Sequence, residues 1–187
     1  MDTRRLVIFP VDQFYAIVGN ITLPQDPYGI SLTDILNERS AMTHRKGNHE
    51  HRPGRLFLSD AEFYAMDDNT RRICASMTET YVPVRLIRAA ADVHPERYQG
   101  NAAKRQESAD RVRRHRELHF ALRAHAVAGM ADALEVYRKS EHFVGLTSVT
   151  IGEEQSAAGH SLPEFLRRIG CPPPDFMAVN LRDVIHS

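Results

Sequence analysis

Twice along the chain, once near each end, a strand-like alternation of apolar and polar residues runs into a helix-like spacing. From Tyr15 to Leu23 the odd positions read Tyr, Ile, Gly, Ile and Leu, while Asn20 and Thr22 fall on the other side. A period of two predicts a half-buried strand. From Phe143 to Ile151 the scheme returns: Val149 and Ile151 stand where the first stretch has Ile21 and Leu23, and Ser148 and Thr150 where it has Asn20 and Thr22. Each stretch is followed by a turn-like connection, 24–30 and 152–160, and then by a serine with an acid three residues later, Ser31 with Asp34 and Ser161 with Glu164. That spacing is a capping box, in which hydroxyl and carboxylate satisfy free amides at a helix start. Leu32, Ile35 and Leu36, like Leu162, Phe165 and Leu166, then fall at i, i+3 and i+4 and give each short helix one apolar stripe. Gly170 and the prolines at 172–174 stop the second helix. A short apolar run closes each module, Leu56 to Leu58 and Met177 to Val179.

This pattern predicts an α+β fold of two strand–helix–strand modules, forming a curved sheet or barrel-like pair. The two stripes are expected to share one core about an approximate twofold. Leu6 to Phe9, Glu62 to Met66 and Tyr81 to Arg88 are further strand candidates, with Pro83 placing the last near an edge. From about 102 to 139 the composition is rich in Ala, Arg, Glu, Leu and Met and free of proline, which predicts one long connecting helix. The expected organisation is therefore a β-rich module over 1–101 with an inserted loop at 37–55, the helix over 102–139, and the second module over 140–187.

Composition limits the roles open to such a fold. A chain of 187 residues, 42% hydrophobic and 26% charged, can bury a substantial core. Lysine plus arginine balance aspartate plus glutamate at 24 each, so no global field draws the protein to nucleic acid or an anionic membrane. No apolar run reaches the roughly 18 residues of a membrane span, and the apolar part of the N-terminal stretch is too short for a signal-peptide core. Cys74 and Cys171 form neither a CxxC pair nor a disulfide framework, as in a reduced, cytoplasmic protein.

Ser-Leu-Thr-Asp-Ile-Leu-Asn at 31–37, followed by Leu-Phe-Leu-Ser-Asp-Ala at 56–61, resembles an uncharacterised family of small bacterial α+β proteins. In that family a similar helix start precedes a Leu-x-Asp-Ala strand end. The resemblance covers residues 5–66, and 142–187 only loosely: Asn180-Leu181-Arg182 stands where the first module has Ser59-Asp60-Ala61. It implies a small α+β domain and brings no activity or catalytic residue.

Three groups of residues could carry chemistry. His115 and His119, one turn apart on the expected helix, could offer two imidazoles to a metal, with His125 further along. The order is His-Arg-Glu-Leu-His rather than His-Glu-x-x-His, and Arg113, Arg114 and Arg116 repel a cation, so a solvated helix face is the preferred reading. Arg111, Arg113, Arg114 and Arg116 concentrate positive charge within 104–123, which could hold phosphates, although Phe120 is the segment's only ring for base stacking. His44, His49 and His51 lie in the long loop, whose His44-Arg45-Lys46-Gly47 lacks P-loop order and suits a partner-gripping loop. The acids Asp60, Glu62, Asp67 and Asp68 have no paired nucleophile, Asp67-Asp68-Asn69 reads as a turn, and no Gly-x-Ser-x-Gly elbow occurs.

The expectation is thus a non-catalytic binding, scaffolding or assembly subunit acting on protein partners, its own copies included, without a cofactor. A nucleic-acid regulator using the Arg-rich segment is the alternative, and a metal-dependent enzyme on the two helix histidines the third.

Overall fold

The computed structural model describes residues 2–12, 14–23, 31–41, 54–66, 73–93, 115–122, 125–133, 136, 142–152, 162–171 and 174–185. Ten antiparallel strands dominate it: β1 (Asp2–Pro10), β2 (Tyr15–Leu23), β3 (Arg55–Ala65), β4 (Ile73–Pro83), β5 (Ile87–Asp92), β6 (His115–Leu122), β7 (His125–Asp132), β8 (Phe143–Ile151), β9 (Phe176–Asn180) and β10 (Val184–Ile185). Short helices accompany them, among the described residues α1 (Leu32–Ala41) between β2 and β3, and α2 (Leu162–Arg168) between β8 and β9. Single 3-10 turns, Val84–Leu86 and Leu181–Asp183, join β4 to β5 and β9 to β10.

The fold is therefore mostly β, and the expected α+β architecture with one long helix is overturned. The decisive segment is 115–132, where Leu118, Phe120 and Leu122, then His125, Val127 and Ala131, are buried at alternate positions. Alternation on a sheet outweighs the helix propensity of the alanines, because a strand's stability lies in its side-chain packing. The two apolar stripes do not share a core either. Leu32, Ile35 and Leu36 join one cluster with Leu6, Ile8 and Leu58, whereas Leu162 and Leu166 join another with Leu118, Leu146 and Met177.

The sheet runs β10-β6-β7-β8-β9-β5-β1-β2-β3-β4. Split between β5 and β9, it consists of the order 5-1-2-3-4 and the order 10-6-7-8-9, the same succession twice. In a flat sheet the four strand spacings from β4 to β5 would span roughly 19 Å. The 3-10 turn linking them has three residues, a rise of about 6 Å. The first unit must therefore curl until its ends approach, and the same holds for β9, the second turn and β10.

Local detail repeats with the order. The β2–β3 ladder slips between Val18 and Asn20, beside Gly19, opposite Asp60 at φ 47°. The β7–β8 ladder slips between Ala128 and Met130, beside Gly129, opposite Ser148 at φ 51°. These are matching β-bulges, which bend a strand and sharpen its twist. At each, glycine makes room for a leucine: a Cβ at Gly19 would lie 3.2 Å from that of Leu58, and one at Gly129 would lie 2.9 Å from that of Leu146. Core residues correspond in turn, Ile17 with Val127, Leu56 with Val144, Val82 with Val179 and Ile87 with Val184. This correspondence matches β2 to β7 and β3 to β8. The sequence reading instead set β2 against β8, because the two strands share an alternating text and both lead into a helix; the pairing of Tyr15–Leu23 with Phe143–Ile151 is corrected accordingly.

A candidate assembly interface

The two units meet where β5 pairs with β9, Ala89 opposite Val179 and Ala90 opposite Ala178. The Ala89-Ala90-Ala91 run keeps this seam thin, and all three alanines are buried. Side chains from the second 3-10 turn fasten it. Asn180 Oδ1 accepts from the Arg182 amide at 3.2 Å, capping the turn, while Asn180 Nδ2 donates to the Ile87 carbonyl at 3.2 Å. The Arg182 guanidinium reaches across to donate to the carbonyl of Arg85 in the first turn. From β5, Arg88 Nε donates to the Ala121 carbonyl at 2.8 Å, and its guanidinium lies 3.8 Å from Asp183.

Helix α1 adds a second fastening. Ser31 Oγ accepts from the Asp34 amide at 3.0 Å and Asp34 Oδ2 from the Ser31 amide at 3.3 Å, the reciprocal box that sets the helix start. One turn on, Asn37 Oδ1 accepts from the amides of His142 at 3.0 Å and Phe143 at 2.8 Å, and Asn37 Nδ2 donates to the Phe143 carbonyl at 2.9 Å. A helix of the first unit thus grips the first residue of β8 in the second.

In the strand order β4 and β10 each have a single hydrogen-bonded neighbour among the described residues, while the curl brings the 80–83 end of β4 towards β5 and brings β10 towards β9. β4 is long, its residues 73–79 are exposed, and its one charged side chain is Glu79. Of four large hydrophobic side chains exposed among the described residues, Ile73 and Met77 lie on β4 and Leu86 in the turn that follows it. A long, apolar edge with few charges is a template for strand addition, which proteins otherwise blunt with lysine, proline or a covering element.

The other sequence candidates do not converge. His44, His49, His51, Arg111, Arg113, Arg114 and Asp67-Asp68-Asn69 lie outside the described residues. The described part of 104–123 is a strand rather than a helix, and Arg116 is half-buried on it. His115 and His119 are both exposed, and four residues of strand set them about 13 Å apart, too far to share the metal that a helix face would have offered. Among the described residues no group of three or more His, Cys, Asp or Glu could hold a metal ion. His125 is buried and its Nε2 accepts from the Leu162 amide at 3.2 Å, so it serves the start of α2.

The acids are likewise engaged. Glu62 Oε2 accepts from Arg5 at 2.7 Å and from the Tyr64 hydroxyl at 2.9 Å, and Asp60 accepts from Asn20 at 3.2 Å. Arg4 and Asp92 form a buried bidentate pair between β1 and β5. Cys171 is buried, and burial together with the nearby Asp92 carboxylate pushes its thiol up to about 12, which leaves it unreactive. Cys74 is exposed on β4. Among the described residues no helix is long and apolar enough to cross a membrane.

Sequence reasoning missed Asn37, Arg85 and Arg182. A signal was present: Val82-Pro83-Val84-Arg85-Leu86-Ile87 and Val179-Asn180-Leu181-Arg182-Asp183-Val184 place valine, a turn-forming residue, an aliphatic, arginine and a closing β-branched residue in the same succession. The chain matches no protein family, no curated protein and no solved structure.

Proposed function

We propose that this protein is a cytoplasmic, non-catalytic assembly subunit that works through protein–protein contacts along its strand edges. The observation that carries this reading is the β4 edge, which displays Ile73 and Met77 and is followed by the exposed Leu86. Strand addition supplies affinity through main-chain hydrogen bonds and specificity through alternate side chains, and it needs no pocket or catalytic group. The seam between β5 and β9 supports it, because this chain already joins sheet to sheet in that way. The nucleic-acid and metal readings have no comparable support, since each relied on a helix that 115–122 does not form.

A photo-cross-linking residue placed at position 77 in the native cell tests the proposal. Adducts with protein are expected at 77 and not at Thr22, which is exposed on β2 away from the edge. Equal or absent adducts at the two positions would refute it.

A further inference from the structure

We infer that two copies of this chain pair through β4, edge to edge about a twofold axis at Met77. The inference rests on the edge-binding reading and names its partner, a second copy.

Two features limit the part of β4 that a partner strand can follow. Against β3, Phe63 faces Ala75 and Tyr64 faces Ile73, so two steps along β4 answer one along β3. This bulge at Cys74 bends the strand and ends its regular course before Ala75. At the other end, the 3-10 turn of 84–86 draws residues 80–83 towards β5. Between the two lie Ala75, Ser76, Met77, Thr78 and Glu79, which keep step with β3 from Phe63 to Ser59 and are all exposed.

This stretch is matched to its own copy. Antiparallel strands related by a twofold axis normal to the sheet set one residue opposite itself, and only Met77, the midpoint, engages all five. Met77 then meets Met77, while Ser76 meets Thr78 twice and Ala75 meets Glu79 twice. An apolar pair flanked by hydroxyl pairs is a combination that stabilises an antiparallel ladder. Met77, 49% exposed in the single chain, becomes covered at the centre of the joined sheet. Glu79 is the strand's one charged side chain, and like charges directly opposite each other destabilise a ladder. In this register each Glu79 faces an alanine. The two carboxylates stand four residues apart along the strands, about 13 Å, beyond the roughly 8 Å screening length of physiological salt. The β3–β4 ladder is itself antiparallel, so a second β4 continues the alternation of the sheet. Such an interface is isologous, uses the same patch on both copies, and stops at two.

Cysteine cross-linking on the purified full-length chain, in a Cys74→Ser background, reads the register directly. Opposed residues of an antiparallel pair have Cα atoms about 4.5–5.5 Å apart, within disulfide reach. Under copper-phenanthroline oxidation Met77→Cys is expected to give a covalent dimer. Ala75→Cys and Glu79→Cys should each give none alone, and a dimer when the two are mixed. Light scattering of the unsubstituted chain should show a mass that rises with concentration from 21.2 kDa to twice that value and no further. Met77→Lys replaces the apolar pair with two facing ammonium groups and should weaken the association about tenfold. Unchanged far-ultraviolet circular dichroism would show that each variant keeps its fold. A monomer at every concentration overturns the inference. So does a dimer that Met77→Lys leaves intact, or one in which Ala75→Cys links to itself as readily as Met77→Cys. A monomer whose position 77 cross-links to a different protein in the cell refutes self-pairing alone, whereas a monomer with no adduct removes the edge-binding reading as well.

Discussion

Two kinds of residue decide whether the described sheet closes as it does, glycines at the bulges and an asparagine between the units. Adding a methyl group at Gly129 drives it to 2.9 Å from Leu146 Cβ and 3.1 Å from the Thr147 carbonyl oxygen, whereas Gly19 offers 3.2 Å to Leu58. Gly129→Ala is accordingly expected to cost about 2–3 kcal/mol and Gly19→Ala about 1 kcal/mol, in that order, by urea denaturation. Equal losses would mean that the two bulges are not packed as described. Asn37 is satisfied at three points by two backbone amides and a carbonyl. Asn37→Ala strands those groups and is expected to cost about 2 kcal/mol, while Asn37→Asp keeps both acceptor bonds, loses only the bond to the Phe143 carbonyl, and costs less. The buried Arg4–Asp92 pair follows the same asymmetry. Asp92→Ala removes the carboxylate that faces the buried Arg4 guanidinium and is expected to cost about 3–5 kcal/mol, most of which Arg4→Met in the same chain should restore.

At the scale of elements, helix α2 is stopped by its own chemistry. Gly170, at φ 78°, donates to the Arg167 carbonyl at 3.1 Å, and Cys171 donates to the Leu166 carbonyl at 2.8 Å, which together form a Schellman cap. The cap folds Cys171 back into the core, where burial favours the neutral thiol over the thiolate. In the native protein only Cys74 should therefore react with a thiol reagent near pH 8, and both cysteines should react after denaturation. Because the folded thiol titrates above its ordinary value of 9.0, its contribution to stability is complete below that pH and is lost as the pH climbs towards about 12. Cys171→Ala should remove that share of the alkaline loss, read by circular dichroism in urea at pH 8 and pH 11. Elements of this kind, whose ends are marked by single residues, were legible beforehand. β2 and β8 occupy the read limits because the alternation of apolar and polar residues marks them, and α1 starts at the Ser31–Asp34 box. What escaped was 115–132, where alanine and arginine carry helix propensity while the alternation of Leu118, Phe120, Leu122 and Val127 carries the fold. The site escaped for a related reason. Strand edges and turn arginines acquire meaning only from neighbours that the order of strands supplies, so Arg85 and Arg182 look ordinary until β5 meets β9.

For the whole molecule the open question is whether the two curled units behave as two bodies or one, and β1 answers it. Its residues alternate between cores: Leu6 and Ile8 belong to the cluster with Leu58 and Ile87, whereas Val7 and Phe9 belong to the cluster with Phe120, Leu146 and Met177. All four are fully buried, so neither cluster can come apart without exposing one face of a strand that the other still needs. β5 divides itself in the same way, Ala90 facing one cluster and Ala89 and Ala91 the other, and Phe143 at the start of β8 lies in the first unit's cluster. The repeated strand order would by itself permit independent unfolding, as in repeat proteins whose units touch only through a thin neighbour interface. Interleaved cores oppose it. Calorimetry should therefore show one transition with equal calorimetric and van't Hoff enthalpies. Leu58→Ala in the first cluster and Phe120→Ala in the second should each move that single transition down, each costing about 3–4 kcal/mol. Two transitions, with each substitution displacing only its own, would show that the seam at β5 and β9 joins two self-sufficient units. In that case Val7 and Phe9 would have to be dispensable to the second core, and Val7→Ala would leave the upper transition where it was.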